Sequence, residues 1–188
     1  MPEVDFLCGY VIEVVGPHAV EFSERLISGR DLWGEALRRE MLDYNFYSGL
    51  GMVGECMPQQ KNKVTLHPTE RDQHGLPVAY IRFGYHENDQ RLIAHGRSTM
   101  RDIFAVAGGT GIFAASRTAH LMGSCRMGQD PARSVVDADC RSHDIRNLFV
   151  CDGSVFPTST GVNPSVTIEA IAARTADRIR DMARRGEL

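Results

Sequence analysis

The sequence predicts an α+β or α/β fold, in which a mainly antiparallel sheet with helices precedes a C-terminal strand-loop-helix unit. Two observations predict it. The short apolar runs 63–67 and 77–83 are joined by a polar loop, as is typical of paired antiparallel strands. The compact apolar run 147–151 is followed by a long segment with helical spacing of apolar residues. A chain of 188 residues, 43% of them hydrophobic, is long enough to bury a core.

Composition and periodicity predict further elements before residue 110. Those before residue 60 are a strand at 6–15, a short helix at 28–43 and a strand at 44–57 that glycines interrupt with close backbone approaches. The loop 68–76 contains the expected turn at His74-Gly75. A long helix is predicted over 86–107, because apolar residues recur there at helical spacing and Gly108-Gly109 can cap its end.

The last predicted helix begins at Asn163-Pro164, since Asn is a favoured N-cap residue and Pro is favoured at the first helical position. Its apolar face is formed by residues at three- and four-residue intervals: Ile168, Ile171, Ala172, Thr175, Ile179 and Met182. Together with the strand 147–151 it forms a strand-loop-helix unit, and ligands of α/β proteins tend to bind where such elements converge.

Charge and cysteine usage exclude several classes of protein. A net charge of −3 with scattered Lys and Arg predicts no nucleic-acid partner. Five cysteines without dense spacing argue against a disulfide scaffold, so reduced thiols in a cytoplasm-like compartment are the default expectation. The first residues lack the basic region of a secretory signal, and no apolar run approaches the ~20 residues of a membrane span, so we expect no signal peptide or transmembrane segment.

Two side chains are candidates for catalysis. His120 begins a loop of small residues, and imidazole is the side chain whose ordinary pKa lies nearest neutrality, which suits a general base. Asn163 opens a helix whose N-terminal N–H groups favour a developing anion, and its carboxamide can hydrogen-bond a substrate hydroxyl. Taken singly, a loop histidine is more often a hydrogen-bonding bystander and an Asn-Pro helix start more often only a cap, so the hypothesis depends on their combination.

Three segments in this order carry a family resemblance: H-L-M-G-S-C-R-M-G at 120–128, D-G-S-V-F-P-T at 152–158 and N-P-S-V-T-I at 163–168. They resemble the C-terminal end of the glucose-methanol-choline (GMC) flavoprotein oxidoreductases. M-P-Q-Q-K-N-K-V-T-L at 57–66 and G-L-P-V at 75–78 fit the same family. The chain is most similar to the branch of the gluconate and fructose dehydrogenase large subunits, with the weakest similarity near the N-terminus.

The resemblance implies a partial GMC fold, FAD as the cofactor and an alcohol, sugar or sugar acid as the substrate. It implies that His120 takes the proton of the substrate hydroxyl while hydride leaves for flavin N5, and that Asn163 orients the substrate oxygen. Contacts to FAD are implied for Asp152, Gly153, Asn163, Pro164 and Thr167. Residues 1–118 would belong to the substrate-binding domain, and residues 119–188 would return to the FAD-binding domain with the catalytic groups.

Members of this family bind the ADP half of FAD through a G-x-G-x-x-G turn between a strand and a helix. The one formal match, at 109–114, follows a helical run and is better explained as a helix terminus. We therefore expect that the chain alone binds FAD poorly and turns over little substrate. It would need a missing N-terminal FAD-binding portion and an electron-acceptor subunit, and the parent enzyme could be periplasmic or membrane-associated.

Two alternatives stay open. The chain could be a non-enzymatic product of the same ancestry, such as a truncated protein or one subunit of a split enzyme. It could also be a zinc-binding module with ligands His120, Cys125, Cys140 and His143. Structural zinc sites usually have two short-spaced ligand pairs, and only Cys140 and His143 approach that spacing, so we predict no metal site.

Overall fold

The computed structural model describes residues 4–16, 18–115 and 118–188. Its elements are β1 (Tyr10–Val15), α1 (Ala19–Arg30), α2 (Gly34–Leu42), a first 3₁₀ turn (Tyr44–Phe46), β2 (Gly49–Gly54), β3 (Lys63–Arg71), β4 (Pro77–Arg82), α3 (Glu87–Val106), a second 3₁₀ turn (Gly153–Val155) and α4 (Ser165–Arg184). This mixture of helices and small antiparallel sheets is compatible with the predicted fold class.

The chain forms two compact units, Met1–Gly54 with Arg91–Ala119, and Glu55–Gln90 with His120–Leu188. The proposed division into a substrate-binding portion (1–118) and a segment of the FAD-binding domain (119–188) concerns function and stays a prediction. Within the described ranges, no helix is both long enough and apolar enough to cross a membrane. All five cysteines lie in these ranges, and all are free thiols.

In the first unit, β1 pairs with β2 in antiparallel register, Tyr10 opposite Gly54 and Val15 opposite Gly49. The predicted close approach at the glycines is confirmed, because a Cβ atom at Gly49 would lie 2.7 Å from Val15 O and one at Gly51 would lie 2.7 Å from Val15 Cγ2. β1 begins only at Tyr10, since Cys8 has a left-handed backbone conformation (φ 71°) that interrupts the extended chain before it.

The prediction of one helix across 28–43 is wrong, because two helices lie there. Asp31 adopts a left-handed conformation (φ 52°) and donates its N–H to Ile27 O at 2.9 Å, which ends α1. α1 itself was not predicted: it buries only Phe22 and Leu26 among polar residues, so its apolar stripe is narrow.

In the second unit, β3 and β4 pair antiparallel as predicted, with Lys63 opposite Arg82. β3 extends four residues beyond the predicted end at position 67, to Arg71, after an irregularity in the register. The turn that joins the strands is closed by Asp72, whose Oδ1 accepts hydrogen bonds from His74 N at 2.8 Å and Leu76 N at 3.0 Å. Gly75 provides the positive φ of 77° that this predicted turn requires.

α3 ends in the cap that the glycine pair predicted. Gly108 N donates to Ala105 O at 3.1 Å and Gly109 N to Phe104 O at 2.8 Å, and Gly108 has a φ of 76°. This is the Schellman arrangement, in which the last carbonyls of a helix are satisfied. The glycines at 109–114 therefore follow a helix instead of a strand, as expected, and do not form a dinucleotide-binding turn.

The predicted strand at 147–151 is not a regular strand. Its backbone pairs through an isolated bridge between Arg141 and Phe149, flanked by hydrogen bonds from Ser142 N to Leu148 O (2.9 Å) and from Val150 N to Cys140 O (3.0 Å). The pairing does not extend beyond Cys140, because this residue has a left-handed conformation (φ 62°) and the segment 140–142 is therefore not extended at that point.

The core of the second unit lies under α4 and the loops before it. Buried Val136, Cys140, Val155 and Phe156 form it, and partly buried apolar residues pack against it: Met122, Met127, Val150, Cys151, Ile168 and Ile171. The apolar face predicted for α4 is confirmed, since every residue assigned to it is buried or half-buried. Pro164 already has helical dihedral angles (φ −90°, ψ −6°) and accepts from Ile168 N at 3.0 Å, so helical geometry begins there.

Candidate functional site

Gly153 marks the point where three segments of the second unit meet. A Cβ atom at this position would lie 3.4 Å from Ile168 Cδ1 in the first turns of α4, 3.7 Å from Met122 Cγ and 4.0 Å from Leu121 O. These are ordinary van der Waals contact distances, so the loop 120–128 and the start of α4 pack directly around Gly153. The three segments that carry the family resemblance therefore converge on one small residue.

Backbone hydrogen bonds hold the loop 120–128 against the second 3₁₀ turn. They join Gly123 N to Gly153 O (3.1 Å), Cys125 N to Ser154 O (2.9 Å) and Met127 N to Val155 O (2.8 Å). A further bond joins Gly128 N to Val136 O at 2.9 Å and connects the loop to the core. Gly123, Cys125 and Met127 therefore donate their N–H groups to a neighbouring segment at every second residue, as in a strand, although the loop has no regular strand geometry.

His120 is exposed at the start of this loop and has a φ of 56°. Such a conformation is uncommon for a residue with a side chain, and the same loop also contains Gly123 at 91° and Ser124 at 86°. Backbone strain of this kind persists only where the surrounding structure enforces it, and it is found preferentially at functional sites. The conformation of His120 is thus consistent with a functional role.

Asp152 caps the second 3₁₀ turn, since its Oδ1 accepts from Ser154 N at 2.8 Å. Hydrogen bonding by the Ser154 side chain, and then by its backbone N–H, holds the pKa of the Asp152 carboxyl below its ordinary value. The carboxylate is therefore ionised and oriented by its own turn. The hydrogen bond from Ser154 to Asp152 was not predicted, although Asp is a residue type that often caps the start of a helical turn.

The opening of α4 is an exposed helix N-terminus. Within the described residues it has no acidic side chain in its first turn, and its N-cap residue, Pro164, makes no side-chain cap hydrogen bond. Ser165 and Thr167 are exposed, whereas Pro164 is buried and fixes the entry of the chain into the helix. The N–H groups of this first turn lack acceptors inside the helix and carry a partial positive charge, so this end of α4 can bind an anionic group. Asn163 is exposed just before it.

The structure thus brings the loop that starts at His120, the turn that starts at Asp152 and the first turns of α4 to Gly153. Asn163, Pro164 and Thr167 belong to the opening of that helix. The catalytic roles of His120 and Asn163, and the FAD contacts expected of the others, stay predictions.

The alternative zinc site is not supported by the arrangement of its proposed ligands. Cys140 is buried in the apolar core, and His143 Nε2 lies 2.9 Å from Ser134 Oγ and 3.2 Å from Gly128 O. In the part of the chain that the structure describes, no three His, Cys, Asp or Glu side chains are grouped to hold a metal ion. His143 instead belongs to the hydrogen-bond network that supports the loop 120–128.

Comparison with known proteins identifies the family. A family model described as GMC oxidoreductase matches residues 58–172. The 2-methyl-1,2-propanediol dehydrogenase of Mycolicibacterium austroafricanum is 38% identical over 154 residues, 78% of this chain and 28% of the relative. The fructose dehydrogenase large subunit of Gluconobacter japonicus is 30% identical over 161 residues, 84% of this chain and 29% of the relative.

The gluconate 2-dehydrogenase flavoprotein of Pantoea cypripedii is 26% identical over 166 residues, 81% of this chain and 27% of the relative. The expected similarity to fructose and gluconate dehydrogenases is thereby confirmed. The chain spans less than a third of the length of these relatives, at 27% to 29%. The match to the family model and the similarity to these relatives show that this chain belongs to the GMC oxidoreductase family.

Proposed function

We propose that this chain supplies the substrate-binding and proton-transfer part of an FAD-dependent oxidoreductase that acts on CH–OH groups of alcohols or sugars. Membership of the GMC family supports the reaction class. The names of its relatives specify a diol, a sugar and a sugar acid as their substrates. The observation that carries the proposal is the convergence at Gly153 of the loop beginning with His120 and the first turns of α4.

The residues around Gly153 suit the pyrimidine end of a flavin. The N–H groups at the start of α4 can stabilise the negative charge of the reduced ring. The first turn of this described helix contains no acidic side chain that would weaken their positive potential. In this proposal the contacts to FAD come from Asp152, Gly153, Asn163, Pro164 and Thr167. FAD, when bound, supplies the hydride acceptor at flavin N5.

His120 acts as the general base. A nitrogen of its neutral imidazole accepts the proton as the substrate O–H bond breaks, the C=O bond forms and the hydride leaves carbon. Asn163 donates a hydrogen bond from its carboxamide to the substrate oxygen and so keeps the C–H bond in the orientation for transfer. A positioned base contributes about 10²–10⁴-fold to such a reaction.

The proposal includes an N-terminal FAD-binding portion and an electron acceptor that receives the electrons from the flavin. Because this chain matches less than a third of each relative, the unmatched part of the propanediol dehydrogenase can serve as a surrogate for that portion. Purified chain is mixed with FAD, with and without the surrogate, and flavin absorbance is followed after gel filtration. Alcohols, sugars and sugar acids are then added anaerobically to look for bleaching.

We expect the chain alone to retain little FAD, and the mixture to form a flavin complex that at least one CH–OH compound bleaches. A flavin complex that no alcohol, sugar or sugar acid reduces would contradict the enzymatic proposal and favour a non-catalytic subunit. Stoichiometric zinc in the purified chain, without flavin binding in the mixture, would overturn the proposal as a whole.

A further inference from the structure

The segment at Cys56 and Met57 is held from two sides by side chains distant in sequence. Ser159 Oγ accepts from Cys56 N at 2.5 Å and donates to Cys56 O at 3.3 Å, so one hydroxyl binds both backbone groups of a residue 103 positions away. On the other side, Asp89 Oδ1 accepts from Met57 N at 2.9 Å. All of these residues belong to the second unit.

Asp89 is itself fixed at the start of α3. Its Oδ2 accepts from His86 N at 2.9 Å, while His86 Nδ1 accepts from Asn88 N at 3.1 Å. The arrangement resembles a capping box. The side chain of the acid in the first turn accepts from the backbone of the cap residue, and the side chain of the cap residue accepts from a backbone N–H of the first turn. Asp89 is only 2% exposed, so its carboxylate needs these donors and cannot shift without leaving a buried charge unsatisfied. The segment 56–57 is therefore a firm point of attachment for Ser159.

Ser159 lies in the loop between the second 3₁₀ turn and α4, which ends at Asn163. On one side of this loop Phe156 is only 9% exposed and belongs to the core, and on the other Pro164 is buried. Thr160 Oγ1 donates to Val162 O at 2.6 Å, which tightens the turn just before Asn163. Asn163, an exposed residue, thus lies between the attachment at Ser159 and the buried Pro164.

We propose that Ser159 is a positioning residue for Asn163: its double hydrogen bond to the Cys56 backbone fixes the loop that presents the Asn163 carboxamide to the substrate. The inference rests on the proposed function for the role of Asn163, but the attachment itself is independent of flavin. Burial, and then the charge of Asp89, raise the pKa of the Cys56 thiol. Cys56 therefore stays neutral and takes part through its backbone alone.

The test compares Ser159→Ala with Ser159→Thr, which keeps the hydroxyl, and with Thr158→Ala, an exposed neighbour in the same loop. Amide hydrogen exchange at Cys56 and the side-chain NH₂ signals of Asn163 are measured by NMR on the 188-residue chain. Because one hydrogen bond is worth about 1 kcal/mol, we expect Ser159→Ala to accelerate exchange at Cys56 roughly five- to tenfold. The Asn163 NH₂ signals should narrow and shift, the Thr variant should resemble wild type, and Thr158→Ala should change neither.

The second readout uses the flavin complex described under the proposed function. There Ser159→Ala should lower kcat about tenfold with a smaller change in KM, because misorientation acts on the transition state more than on binding. If Ser159→Ala does not fold, Ser159→Cys, with a weaker hydrogen-bonding side chain of similar size, replaces it. Faster exchange at Cys56 with unchanged Asn163 signals would restrict Ser159 to a local structural role and overturn the inference.

Unchanged exchange at Cys56 would contradict the attachment itself. The NMR measurements need no flavin, so they decide the positioning role even if no substrate reduces the complex. Conversely, bleaching of the wild-type complex decides the proposed function whatever the Ser159 variants show.

Discussion

The loops at 120–156 and the β3–β4 hairpin belong to the same unit. The loops have little regular secondary structure but bury apolar side chains, whereas the hairpin has paired strands but exposes them. The loops contain only isolated bridges and a single 3₁₀ turn, but Val136 and Val155 within them are fully buried. The hairpin consists of two hydrogen-bonded strands with one irregularity in their register, but Leu66 is 70% exposed and Ile81 is 68% exposed. In this unit, therefore, the segments with regular backbone hydrogen bonding are not the segments that bury the apolar side chains.

The register of the hairpin explains its exposed apolar residues. Val64 pairs with Ile81, and Leu66 with Ala79, so these four side chains share one face of a two-stranded sheet. Two strands alone cannot enclose a core. In the loops, by contrast, several turns are closed by a side chain that accepts backbone N–H groups, as Asp137 does from Asp139 N (2.8 Å) and Arg141 N (3.0 Å). Irregular backbone of this kind can hold His120 in its strained conformation.

The largest expected contrast concerns catalysis. In the flavin complex, His120→Ala should slow flavin reduction by about 10²–10⁴-fold, because the base is lost. His74→Ala, at the exposed turn of the hairpin, is the matched control and should leave the rate unchanged. Stopped-flow absorbance under anaerobic conditions measures both. Equal rates of flavin reduction for the two variants would contradict the assignment of His120 as the base.

The second contrast concerns packing. Val155→Ala removes two methyl groups from a fully buried site and should lower the free energy of unfolding by about 2–3 kcal/mol, through lost burial and a residual cavity. Ile81→Ala, in the exposed hairpin face, should cost about 0.5 kcal/mol or less. Urea denaturation followed by circular dichroism gives both values. A comparable cost at Ile81 would mean that the hairpin face is covered in solution.

The third contrast concerns a buried hydroxyl group in α4. Thr175 in α4 is 1% exposed, and among the residues that the structure describes its hydroxyl has no hydrogen-bond partner. Thr175→Val replaces a buried unsatisfied hydroxyl by a methyl group and should raise the free energy of unfolding by about 1 kcal/mol. Thr175→Ser keeps the hydroxyl, removes the methyl group and should be destabilising by about 1 kcal/mol. A Val variant less stable than wild type would show that the hydroxyl is satisfied in solution.

The smallest expected effect is the pH response of the second 3₁₀ turn. The folded-state pKa of Asp152 lies below its ordinary value, so its ionised form contributes stability above the ordinary Asp pKa, and this contribution is lost as pH falls through the lowered value. Carboxyl ¹³C NMR should show Asp152 titrating below free aspartate. Ser154→Ala should raise that pKa, whereas Ser134→Ala, elsewhere in the loops, should not. An unchanged pKa in Ser154→Ala would contradict the assigned cause.

Local patterns in the sequence were sufficient for several of these features. The bounds of α3 agree with the predicted helix to one residue at each end, because apolar spacing and a terminal glycine pair report directly on helix geometry. The pairing of β3 with β4 follows from two short apolar runs around a turn. In contrast, the break between α1 and α2 depends on Asp31 accepting a left-handed conformation, which composition does not reveal.

Residue patterns along the chain were enough to indicate the family, the three segments that carry the resemblance and the buried face of α4. The folded structure was needed to show that those segments meet at Gly153 and that Ser159 binds the backbone of Cys56, 103 residues away. The physical reason is that helical periodicity is a local property. A hydrogen bond between distant residues depends on how the whole unit packs, and no short pattern in the sequence encodes it.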